Sequence, residues 1–236
     1  MKQTLFGMAL LGLACSSANA ALVSASGGLA YYDTGTNLTW VADANLAETS
    51  GYDADGRMTW TQSVGRIASL NAQNAGLGYL GTNTWRLPTV TDTGSSGCNF
   101  TFNGTDCGFN VDLATSEMAK MFASTLGNTA GFNTSGIQQP CYSASPNYCM
   151  GNVGSFSNIQ AEYYWSGTTH APNASDAWYF SFANGNQSVQ PKTVILYAWA
   201  VSSGNPLGAP VPIPPAVWLF GSALGVMGWM RRKIPR

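Results

Sequence analysis

The sequence predicts an α+β domain in which antiparallel hairpins enclose two helices, and three observations carry that prediction. Apolar and aromatic residues alternate with period two towards both ends of the 236-residue chain, around Leu29 to Val41 and from Trp178 to Val201. Between these stretches, apolar residues recur twice at helical spacing, once behind Thr59 and once behind Ser116. The regular strand-helix-strand alternation of a parallel sheet does not occur.

In chain order, Lys2, the apolar run Leu5 to Leu13 and Ala18-Asn19-Ala20 form the three parts of a secretory signal peptide, residues 1–20. Signal peptidase is expected to cut between Ala20 and Ala21, so the mature chain folds outside the cytoplasm. Leu29-Ala30-Tyr31-Tyr32 and Leu38-Thr39-Trp40-Val41 flank the turn-forming Asp33 to Asn37 and read as an opening hairpin. Thr59-Trp60-Thr61-Gln62 is a capping box, and Trp60, Val64, Ile67 and Ala68 behind it predict a helix running to about Asn74. A second helix is expected from Ser116 to Leu126, with Met118, Met121, Phe122 and Leu126 on one face and Gly127 as its terminator.

The last third changes period. Trp178, Phe180 and Phe182 alternate with Tyr179 and Ser181, and Asn184-Gly185 offers the positive-φ pair of a two-residue turn, with Gln187 to Gln190 returning. Tyr197, Trp199 and Val201 predict a further strand, and the Gly and Pro content of 202–210 reads as a spacer. The tail, 211–236, begins Val211-Pro212-Ile213-Pro214-Pro215, continues with the apolar Ala216 to Met230 and closes on Arg231-Arg232-Lys233. Fifteen helical residues reach about 22 Å, short of the roughly 30 Å hydrocarbon core. The basic cluster would stay on the cytoplasmic side.

This tail resembles a PEP-CTERM-type sorting signal in its V-P-x-P variant, read on Val211-Pro212-Ile213-Pro214 and Ala216-Val217-Trp218-Leu219-Phe220-Gly221-Ser222. The resemblance implies transient membrane insertion and cleavage by an exosortase-type enzyme. Release to the cell surface or extracellular matrix of a Gram-negative bacterium would follow. The alternative is a permanent transmembrane helix that anchors the domain.

Eight runs of the mature domain resemble the Lcl C-terminal domain family. They are Tyr32-Asp33-Thr34 with Leu38-Thr39-Trp40, Gly56-Arg57-Met58-Thr59-Trp60, Trp85-Arg86-Leu87-Pro88-Thr89, Glu117-Met118, Tyr164-Trp165-Ser166-Gly167-Thr168, Asp176-Ala177-Trp178 and Tyr197-Ala198-Trp199-Ala200-Val201. The resemblance covers residues 21–201 as a domain and implies a C-type-lectin-like fold on a bacterial surface protein, with adhesion or glycan binding as its activity. Where that family's last strand ends in Arg-Pro-Gly, this chain has Ser202-Ser203-Gly204.

Composition narrows the chemistry. Between residues 21 and 210 there are five basic side chains and eleven acids, a net charge of −6 with histidine neutral. That balance excludes a nucleic-acid interface and suits sulfated, anionic glycans poorly. Cys98, Cys107, Cys141 and Cys149 remain after signal removal, and in an oxidising compartment the shortest loops favour Cys98 with Cys107 and Cys141 with Cys149. Neither pair has zinc-ligand spacing. Asp53-Ala54-Asp55-Gly56 has the start of a calcium loop but no glutamate twelve positions on, so it reads as a turn with calcium a weak alternative. No other cofactor is implied.

The lone histidine, His170, has no sequence-local acid or nucleophile and reads as a solvated loop residue. Glu162 and Asp176 could in principle pair as glycosidase carboxylates. Aromatic rings are the richer resource, since alternation should turn some of Trp165, Trp178 and Tyr179 outward, where they would stack on sugar rings. The expected function is therefore a non-catalytic surface or matrix protein that binds a polysaccharide or a surface protein. A purely structural matrix component is the alternative and a glycoside hydrolase the remote one.

Overall fold

The computed structural model describes residues 21–94, 102 and 104–210. Ala20, Cys98 and the tail residues Val211, Pro212, Pro214, Arg231, Arg232 and Lys233 lie outside the described residues, with the rest of the signal peptide and sorting tail. Two antiparallel four-stranded sheets organise the domain. The first has the order β1 (Leu22–Ala25), β2 (Ala30–Asp33), β3 (Leu38–Val41), β8 (Val201–Ser203), and the second β4 (Gly108–Phe109), β7 (Asn186–Pro191), β6 (Asp176–Ser181), β5 (Tyr163–Thr169). The mixed α+β class is as predicted. Among the described residues no helix is long and apolar enough to cross a membrane.

The opening hairpin pairs Tyr31 with Trp40 and Asp33 with Leu38. The last expected strand is divided. Tyr197 bridges Tyr164 of β5 in parallel, and from Val201 the chain pairs antiparallel with β3. Between them Trp199 sinks into the core within 4.8 Å of Trp40 and 4.9 Å of Phe156, ring centre to ring centre. Beyond Val201 the predicted spacer is part of the domain. Ser202 and Ser203 belong to β8, and the Asn205 side chain holds both the amide and the carbonyl of the buried Ala209 at 2.8 Å.

α2 (Trp60–Ala72) starts on the predicted capping box: Thr59 accepts from the Gln62 amide, and the Gln62 side chain accepts from the Thr59 amide. Its buried face is Ser63, Arg66, Ile67 and Leu70, so Val64 and Ala68, expected inside, are exposed. The rotation follows from Arg66, whose guanidinium donates to the Leu46 carbonyl and Ser50 hydroxyl and docks the short helix α1 (Leu46–Thr49) onto α2. Gly56, just before α2, has φ +76° and its missing Cβ would overlap Asn45 Oδ1 at 1.8 Å, so both space and backbone require glycine.

The second predicted helix is α3 (Glu117–Lys120) continued by a wider turn over Met121–Thr125, capped by Ser116 and ended at Gly127 with φ +70°. Met118, Met121, Phe122 and Leu126 are all buried as predicted. The link between β6 and β7 is not a two-residue turn. It spans Phe182 to Gly185, and only Gly185, φ +73°, is left-handed. The longer turn serves two neighbours, because the Ala183 carbonyl accepts from Cys149 N and the Asn184 carbonyl accepts from Gly131 N, both at 2.8 Å.

Candidate functional site

The residues that carry the sequence motifs form the frame of the domain. Among the described residues, indole N–H groups donate to backbone carbonyls four times: Trp60 to Ser166 at 2.8 Å, Trp85 to Tyr79 at 2.9 Å, Trp165 to Met58 at 2.9 Å and Trp199 to Val41 at 2.7 Å. Arg86 grips Glu117 with two N–H···O bonds of 2.6 and 2.7 Å, and Glu117 also accepts from the Thr89 amide at 2.8 Å. Thus Trp85-Arg86-Leu87-Pro88-Thr89 and Glu117 tie α3 to the chain that pairs with Val201. A buried indole needs a partner for its N–H, and here the partners set element against element.

This corrects the stacking prediction. Trp165, Trp178 and Tyr179 are 0%, 2% and 9% exposed and offer no face to a sugar. The physical reason is that β6, which carries Trp178 and Tyr179, lies inside its sheet with both faces covered. Trp165, on the edge strand β5, packs into the Tyr179 cluster and donates to the Met58 carbonyl. Phe180 packs with Phe122, Tyr179 with the Trp165 cluster, and Trp178 with Val90 and Cys107. The Tyr179 hydroxyl is held by Ser188 and Gln190.

The weaker candidates resolve similarly. Asp53 accepts from the amides of Asp55 and Gly56, and Asp55 from that of Arg57, so these carboxylates close a turn. Among the described residues no cluster of three or more His, Cys, Asp or Glu side chains is placed to hold a metal. Glu162 and Asp176 are not brought together: Phe182 N bonds the Glu162 carbonyl, and Asp176 lies six residues away along β6, about 20 Å at strand rise. A glycosidase pair stands within about 10 Å.

His170, expected in solvent, is buried edge-on to Trp178 at 5.6 Å, because the turn from His170 to Asp176 folds back on β6. Beside it, burial would raise the Asp92 pKa. Hydrogen bonds from Ala171 N, Trp178 Nε1 and Gly94 N, with His170 nearby, outweigh that and hold the carboxyl below its ordinary value.

Exposed aromatic surface gathers elsewhere. Cys141 and Cys149 form a disulfide as predicted, and the loop it closes carries Tyr142 and Tyr148. Cys107 is also disulfide-bonded. Opposite the loop lies the start of β5 with Glu162 and Tyr163, and the floor is the β6–β7 turn at Ala183 and Asn184. Together they bound an open cleft of about 260 Å³. Tyr148 is 39% exposed and Tyr163 41%, and Glu162 is exposed.

Each wall is braced from behind. The Tyr142 ring leans edge-on against Phe132 at 5.0 Å and lies so close to Gly131 that a Cβ there would sit 2.4 Å from its Cδ2. Tyr163 is edge-on to Tyr179 at 5.2 Å. Tyr148 is held at φ +50°, a costly conformation for a bulky residue, by bonds from its own amide to Ala144 O and from Cys149 N to Ala183 O. The Tyr163 pKa is raised by burial first and then by Glu162, Tyr142 and Tyr148, so its phenol stays protonated and neutral around pH 7.

The arrangement can stack rings and donate or accept hydrogen bonds around one carboxylate. Tyr163 belongs to the aromatic-rich third of the sequence, but patterning does not single out Tyr142 and Tyr148. The signal available was two tyrosines bracketed by a near-neighbour cysteine pair.

With this geometry in hand, comparison shows that the model of the Lcl C-terminal domain family matches residues 30–202. Comparison with curated proteins and with solved structures gives no match.

Proposed function

This chain belongs to the Lcl C-terminal domain family, and from that premise we propose that it is a non-catalytic, exported surface or matrix protein that binds a polysaccharide in the tyrosine cleft. The family suggests surface association. The observation that supports binding is the convergence of Tyr142, Tyr148 and Tyr163 on one open cleft, braced by a disulfide loop. Tyrosine presents a flat apolar face and a hydroxyl at little entropic cost, and sugar rings offer the complementary C–H face and hydroxyl rim. Tyrosine rings and one carboxylate provide recognition without an activated nucleophile. The chain would reach its site through signal peptidase, acting at Ala20 and Ala21, and an exosortase-type enzyme acting near Val211 to Pro215.

The test is a glycan array read with and without chelator, using the wild-type protein and Tyr148→Ala. Selective retention that is insensitive to chelator and lost in the variant supports the reading. Uniform silence would favour a purely structural role, and capture of a surface protein at the same cleft would replace polysaccharide by protein as the ligand.

A further inference from the structure

We infer that the polysaccharide recognised in the cleft is cationic, carrying free amines on its sugar units, with Glu162 as the counter-charge and Tyr142, Tyr148 and Tyr163 as the surrounding rings. The inference rests on the polysaccharide-binding reading above and names its ligand class. Glu162 is exposed at the cleft and, among the described residues, its carboxylate has no ion pair and no hydrogen bond. Four of the five basic side chains of the domain are engaged elsewhere, and the fifth, Arg57, lies near Tyr197 and does not line the cleft. Arg86 is paired with Glu117, Lys192 sits 4.2 Å over the Trp60 ring, Arg66 lies 4.6 Å over the Tyr52 ring, and Lys120 lines a different pocket with Glu117. Among the described residues nothing positive lines the cleft, and the domain carries a net charge of −6.

Three tyrosine rings reinforce that field. An aromatic face attracts a cation through its quadrupole, and several faces around one carboxylate form a site for an ammonium group. Tyr142 makes its ring contacts with Phe109 and Phe132 and Tyr163 with Tyr179, and all three tyrosines line the same open space. Their hydroxyls have no partner within the chain among the described residues, which leaves them for the hydroxyl groups of a sugar. A neutral sugar would gain from the rings and from hydroxyl hydrogen bonds to Glu162 but not from its charge, and an anionic one would be repelled by it. An amino sugar uses both.

The experiment compares binding of a chitosan oligosaccharide, whose amines are free, with a chitin oligosaccharide of the same length, whose amines are acetylated, by calorimetry on the purified protein. The wild type is expected to bind chitosan roughly tenfold more tightly, with an advantage that fades in high salt and disappears in Glu162→Gln. The variant keeps the backbone carbonyl that accepts from Phe182 N, and an unchanged thermal melt would certify its fold. Equal binding of the two oligosaccharides, with Glu162→Gln unaffected, would overturn the cationic assignment and leave polysaccharide binding standing. Silence towards both, with another glycan retained on the array, would also overturn it. Silence towards both and towards every glycan would remove the underlying reading as well.

Discussion

Gly131→Ala isolates the cleft from the rest of the fold. Gly131 is buried and its φ is not in the left-handed region, so alanine meets no backbone strain there. What it meets is Tyr142: the new Cβ would lie 2.4 Å from Cδ2 and 3.3 Å from Cε2 of the ring. Carbon atoms rest at about 3.5–4.0 Å, so the ring must retreat by roughly 1–1.5 Å. The other neighbour, Asn184 Cβ at 3.4 Å, is an ordinary contact. Overpacking of this kind costs about 1–3 kcal/mol, and at about 2–4 °C per kcal/mol for a domain of this size the melting temperature falls by several degrees. Because Tyr142 forms one wall, polysaccharide binding should weaken about tenfold while the protein remains folded at 25 °C. Calorimetry of binding beside a thermal melt measures both. Undiminished binding, with the melt lowered, would refute the placement of Tyr142 in the site.

Four further outcomes follow. Replacing Cys141 and Cys149 by serine opens a loop of sequence separation 8, which should cost about 2–3 kcal/mol in urea denaturation and weaken binding by releasing Tyr142 and Tyr148; unchanged binding would mean the loop needs no staple. Arg86→Lys loses the two-pronged grip on Glu117 and should destabilise by about 1.5–3 kcal/mol without touching the cleft, whereas an unaltered denaturation midpoint would show the pair to be dispensable. Trp165→Phe removes one of the two donors to the Met58 carbonyl, which keeps Leu196 N, and should cost about 0.5–1.5 kcal/mol with binding intact; lost binding at unchanged stability would restore the stacking role. Asp92, whose native pKa is depressed, contributes stability that is present above the ordinary carboxylate pKa and lost as pH falls through the native value, so Asp92→Asn should destabilise at pH 7 and the gap to wild type should close as pH falls through that native value. Parallel stability curves for the two proteins would contradict that.

The frame was legible in the sequence because its signals are local. The Thr59 capping box, the Asp33 to Asn37 turn and the apolar face of Met118 to Leu126 each declare themselves within a few residues. The facing of α2 was not legible, because it is set by Arg66 reaching twenty residues back to Leu46. Nor was the burial of Trp178 and Tyr179: alternation implies one wet face only for a strand with one side uncovered, and β6 has neither side uncovered. The cleft was half visible. Tyr163 lies in the aromatic-rich region and the Cys141–Cys149 bond was anticipated, but the chamber arises from strand register and from the hydrogen bonds of Ala183 and Asn184, which join segments far apart in the chain. His170 was misplaced for the same reason, its burial depending on the return of the chain at Asp176.

The central claim, that ligand enters between Tyr142, Tyr148 and Tyr163, is tested most directly by titrating the tyrosine-labelled protein with a bound oligosaccharide and following the ring resonances by NMR. Chemical-shift changes are predicted at these three tyrosines, with Tyr31, Tyr32 and Tyr52 unmoved. Shifts confined to those other tyrosines, or saturating binding with every tyrosine resonance unchanged, would contradict the account.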